Sequence, residues 1–85
     1  MFKIKAADGT NNLCGKKIAE IRKSKKLSQR RLAAKMQLHG YDVDHYFIRR
    51  VENGERFVTD IDLVIFSRTL KVPLSEILSV DDVEL

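Results

Sequence analysis

The chemistry available to this chain is mostly cationic. Fourteen of its 16 lysines and arginines fall within residues 1–56, against six acidic side chains, a local net charge of +8. Residues 57–85 hold two basic and six acidic groups, a net of −4. The molecule therefore has a positive end and a negative end. Clustered Lys and Arg release counterions from a phosphate backbone, so the distribution favours a polyanion partner over a merely solvated surface. The acidic end is then expected to point away from that partner.

Other chemistry is sparse. His39 and His45 are six residues apart with Asp42 and Asp44 between them. One flanks a helix end and the other opens a helix, so no metal site is expected. Cys14 is the single cysteine, which excludes an intrachain disulfide and a multi-cysteine zinc site. It falls on an inward helix face and reads as a buried, inert thiol. The sequence has no glycine-rich phosphate loop, paired catalytic carboxylates or Ser/His/Asp arrangement. Neither an enzyme nor a cofactor is expected.

The chain has 85 residues, 44% hydrophobic and 33% charged, within the size of one small domain. Such a chain buries roughly 60% of its unfolded surface, which leaves little room for a deep substrate pocket. The longest apolar run is Leu63-Val64-Ile65-Phe66, far below the roughly 18 residues of a membrane span. Residues 1–12 lack the apolar stretch of a signal peptide, so a cytoplasmic location is the expectation.

Short helices must position these side chains. Residues 1–12 read as a flexible tail, with Phe2 and Ile4 alternating with Lys3 and Lys5 as a short strand or basic arm. Asn12 is the N-cap candidate for a first helix over Leu13–Lys26, with Cys14, Ile18 and Ile21 on one face. Ser28 caps a second helix that turns Leu32, Ala33 and Met36 inward and stops at Gly40. Asp44 caps a third, His45 to Glu52, with Ile48 and Val51 inward and Asn53-Gly54 as its stop. Thr59 and Asp60 are cap candidates for a fourth helix burying Ile61, Val64, Ile65 and Phe66, a stripe read as core rather than a cofactor pocket. Pro73 permits a fifth, short helix holding Leu74, Ile77 and Leu78. Residues 79–85 form an acidic tail. The fold class is all-α, with one domain over residues 13–78.

Four segments make the sequence specific: Ile18-Ala19-Glu20-Ile21-Arg22, Leu27-Ser28-Gln29-Arg30-Arg31-Leu32-Ala33, Ile48-Arg49-Arg50-Val51-Glu52-Asn53-Gly54 and Leu70-Lys71-Val72-Pro73-Leu74. In this order they resemble the Xre-type helix-turn-helix family, the fold of phage repressor and Cro DNA-binding domains, over Gly15–Leu78. The resemblance implies a five-helix repressor-like domain with helices 2 and 3 as the helix-turn-helix. The third helix would lie in the major groove.

By that resemblance His45, Tyr46, Arg49 and Arg50 are the candidates to read base edges. The helical period agrees, because Ile48 and Val51 take the inward face and leave positions 45, 46, 49 and 50 on others. Gln29 matches a DNA-backbone contact at the start of the second helix, and Arg30, Asn53 and Arg56 are further phosphate-binding candidates. Arg31 either adds charge or is solvated. Arg22 and Glu52 match an inner salt bridge of the family. One departure stands out. The stretch from Ala33 to Glu52 is about five residues longer than the family spacing, where 3–4 residues normally join the two helices. The second helix is therefore expected to gain about a turn, ending at Leu38 or His39. Tyr41 and Val43 then pack on the core, and the extension meets the DNA backbone near His39 or Tyr41.

The expectation is sequence-specific binding of double-stranded DNA by a transcriptional regulator, a repressor acting as a homodimer, with no membrane association. The rival is a protein-interaction adaptor or antitoxin-like module, with Leu74, Ile77, Leu78, Val80 and Val83 as dimerisation candidates, although Leu74 and Ile77 are expected instead to close the core. A further rival is contact with RNA or the ribosome. An adaptor would show apolar residues on the outer face of the third helix, where Phe47 is the sole candidate.

Overall fold

A computed structural model describes residues 9–78. The expected basic arm near Phe2–Lys5, the rest of the tail through residue 8, and the acidic tail 79–85 with Val80 and Val83 lie outside the described residues. The described residues form five helices and no strand, as the all-α reading expects. They are α1 (Gly15–Ser24), α2 (Gln29–Leu38), α3 (His45–Glu52), α4 (Asp60–Leu70) and α5 (Leu74–Ile77).

Caps fix the ends of the helices that matter most. The Ser28 hydroxyl accepts from the Arg31 N–H at the start of α2. The Asp44 carboxylate accepts from the Phe47 N–H at the start of α3, at 3.0 Å. Gly40 follows α2 with φ +83° and Gly54 follows α3 with φ +76°, both in the left-handed region that a side chain disfavours. The second helix runs to Leu38, as expected, and Tyr41 and Val43 pack against the core beyond it.

The core joins Cys14 and Ile18 from α1, Leu32, Ala33 and Met36 from α2, and Phe47, Ile48 and Val51 from α3 with Phe66, Leu70 and Ile77. A file of rings runs through it. Tyr41 meets Phe47 edge-on at 6.4 Å, and Phe47 stacks on Phe66 at 5.9 Å. At the other end of α3, α1 approaches so closely that a Cβ on Gly15 would sit 2.2 Å from the Val51 carbonyl oxygen. The two helices therefore touch through bare backbone.

Three expectations need correction. The first helix starts at Gly15, with Cys14 in the cap position, because Asn12 reaches past it and accepts from the Gly15 N–H at 2.8 Å. The fourth helix buries Asp62, Phe66, Thr69 and Leu70, while Ile61 is 64% exposed and Val64 also lies outside. Asp62 decides this rotation. Its carboxylate closes a capping box with Thr59 and accepts the Tyr41 hydroxyl, which turns it inward. In α5, Ile77 closes the core but Leu74 is exposed.

Nor are residues 10–12 a loose tail. The Asn11 N–H donates to the Gly54 carbonyl at 2.8 Å, and the Asn11 and Asn12 amides bond the chain beyond α3.

Thr69 offers a test of the core. Its hydroxyl is buried without a hydrogen-bond partner. Removing a buried, unpaired hydroxyl saves its desolvation cost, about 1 kcal/mol or more. Thr69→Val, of nearly equal shape, is expected to raise Tm by about 4–8 °C in thermal unfolding. A lower Tm would show that the hydroxyl has a stabilising partner in solution.

Candidate nucleic-acid interface

The period of α3 sorts its eight residues by face. Phe47, Ile48 and Val51 are buried. Tyr46, Arg49 and Arg50 are exposed and His45 is half-buried, so these four form the outer surface. The His45 and Tyr46 rings lie 4.1 Å apart, and the Arg49 guanidinium sits over the Tyr46 ring at 5.3 Å. Stacking holds the long arginine over an aromatic platform and limits its rotamers. Arg49 and Arg50 occupy the last turn, where the helix dipole favours cations.

Arg50 belongs to a second group. It lines an open groove with Tyr46, Phe47, Arg56 and, from the connection before α3, Asp42 and Asp44. The Arg56 guanidinium lies 4.7 Å over the Phe47 ring. The Arg50 carbonyl accepts from the Glu55 and Arg56 N–H groups, at 2.9 and 3.3 Å. The chain beyond α3 thus folds back beside Arg50. Of the two carboxylates that line the groove, that of Asp44 is engaged by the Phe47 N–H.

A buried ion pair fixes α3 against the rest. Arg22 Nε donates to Glu52 Oε2 at 2.6 Å, and Arg22 Nη2 donates to Glu52 Oε1 at 3.0 Å. Nη1 donates to the Leu27 carbonyl at 2.8 Å, so the guanidinium also holds the turn between α1 and α2. The Gln29 amide donates to Glu52 Oε1 at 3.1 Å. Gln29 therefore sits at the first turn of α2, beside the N–H groups that a helix start leaves without intrahelical partners. Arg30, Arg31 and Asn53 are exposed.

The structure narrows two of the alternatives that the sequence left open. Phe47 is not an apolar residue on the outer face but a core ring, 8% exposed, that carries Arg56. Tyr41 does not reach outward from the extension, because its hydroxyl donates to buried Asp62; His39 is exposed.

Asn12 was legible only as a helix cap. Its Nδ2 donates to the Val51 carbonyl at 3.1 Å and the Arg56 carbonyl at 2.8 Å, ties that no local pattern announces.

Burial pushes the Cys14 thiol up to about 11, so it stays protonated near neutral pH. Among the described residues no group of three or more His, Cys, Asp or Glu side chains is placed to hold a metal ion. Among them, too, no helix is long and apolar enough to cross a membrane.

Residues 18–77 match the model of a protein family described as helix-turn-helix. The chain is also similar to the crystal structure of the restriction-modification controller protein C.AhdI from Aeromonas hydrophila. The two share 27% identity at a TM-score of 0.67, over 78% of this chain and 92% of the controller. No curated protein matches the sequence.

Proposed function

This chain belongs to the helix-turn-helix family and is a DNA-binding transcriptional regulator, and we propose that it reads a specific operator with the outer face of α3 and represses transcription. One observation carries the reading: α3 buries Phe47, Ile48 and Val51 and turns only side chains with hydrogen-bonding groups outward. Arg49 and Arg50 suit a two-pronged contact to guanine O6 and N7, and His45 suits a base acceptor. Tyr46 packs on a thymine methyl or donates to phosphate. Gln29, Arg30, Asn53 and Arg56 set the register by contacting phosphates on either side.

So few reading residues specify a short site, which favours a two-fold dimer with half-sites about 34–36 Å apart. Ile61 and Val64 on α4 and Leu74 on α5 supply exposed apolar surface for such a contact. The likeness to a controller protein favours regulation over an adaptor role. It makes the genes of a restriction-modification system the first targets to test.

Selection of preferred duplexes from a random pool tests the proposal. An enriched palindrome is the expected result and supports both base reading and dimeric binding. A pool that enriches nothing would favour the adaptor reading instead.

A further inference from the structure

We propose that Asn12 is a positioning residue for Arg56, and that together with Phe47 it holds this arginine ready for a DNA phosphate before DNA arrives. The inference rests on the DNA-binding reading above. The Asn12 amide uses both donors and its acceptor at once. Nδ2 donates to the Val51 and Arg56 carbonyls, and Oδ1 accepts from the Gly15 N–H. It therefore ties the start of α1 to the end of α3 and to a residue 44 positions along the chain. Asn11 reinforces the same stretch, donating to the Gly54 carbonyl from its backbone and to the Glu55 carbonyl from its side chain.

The other end of Arg56 is held separately. Its guanidinium rests over the Phe47 ring at 4.7 Å, and that ring is fixed in turn by stacking on Phe66. Backbone and head group are thus both anchored, while the residue remains exposed beside Arg50 in the groove along α3. A free arginine loses much rotamer freedom when it docks on a phosphate. Ordering such a side chain in advance removes a cost that would otherwise weaken binding by up to about 10-fold.

A double-mutant cycle separates positioning from a general structural role. Affinity for a random-sequence duplex, at low salt, and Tm are measured for the full chain as wild type, Asn12→Ala, Arg56→Ala and the double variant. Asn12→Ala is expected to weaken binding about 10-fold when Arg56 is present. In the Arg56→Ala background the same change is expected to lie within about 2-fold of no effect. Its effect on Tm should be equal in both backgrounds. An equal loss of affinity in both would overturn the proposal, as would a wild type that binds but is indifferent to Arg56→Ala. Should Asn12→Ala not fold, Asn12→Asp enters the same cycle, since it keeps the acceptor for the Gly15 N–H and loses both donors. A wild type that binds no duplex would instead overturn the DNA-binding reading itself.

Discussion

Arg22→Ala is expected to lower the stability of the domain by about 3–5 kcal/mol, a large part of the 5–15 kcal/mol available to a small protein. The reason lies in what is left behind. The Arg22 and Glu52 side chains are only 10% and 6% exposed. Without the guanidinium, the Glu52 carboxylate keeps only the Gln29 amide, and the Leu27 carbonyl loses its donor. A charge in that position has neither water nor a countercharge to offset its desolvation. Thermal unfolding should show Tm falling by roughly 15–30 °C. Arg22→Lys should recover only part of the loss, because an ammonium cannot reproduce two parallel bonds and a third to a carbonyl. Replacing both partners by methionine should restore much of the stability, since it removes both desolvation penalties. A Tm for Arg22→Ala within a few degrees of wild type would show that the pair contributes little.

The second large effect concerns recognition. Replacing Arg49 and Arg50 together by alanine is expected to cost about 2–6 kcal/mol on the selected duplex, at about 1–3 kcal/mol for each two-pronged base contact. Tm should barely change, because both side chains are exposed. On a random duplex the loss should be smaller and should flatten the dependence of log K on log salt, by up to roughly 0.9 for each phosphate contact removed. Arg30→Ala is the comparison. As a phosphate contact it should weaken both duplexes alike. If the double variant also weakens both alike, α3 holds the backbone and does not read bases.

The third helix, α3, was the most legible part of the chain. Asp44 before it and Asn53-Gly54 after it are local signals, so its bounds follow from capping chemistry alone. Ile48 and Val51 then fix its inward face by spacing, and Arg22 and Glu52 stand out through the family resemblance. The rotation of α4 was less legible. Ile61 and Val64 continue the hydrophobic stripe of Ile65, which does pack against the core, but a helix faces its core along the stripe its fixed contacts demand. Here Asp62 is turned inward by Thr59 and Tyr41, and Phe66 and Thr69 follow at helical spacing. Leu74 misled in the same way, since a four-residue helix seats one apolar side chain more readily than two. Asn12 was illegible beyond its cap because its partners lie 39 and 44 residues away, where no periodicity connects them. Its role belongs to tertiary structure alone.

The seam between Gly15 and Val51 has a consequence for how this protein changes over generations. A contact made of side chains can yield by switching rotamers, but main chain against main chain has nothing to give. The distance between α1 and α3 is therefore set by a missing methyl group. An alteration there would act as a shim under a lever, tilting every outer side chain of α3 together rather than altering one. If α3 reads bases as proposed, new operator preferences would arise one at a time at positions 45, 46, 49 and 50, whereas drift at position 15 would disturb the entire alphabet at a single stroke.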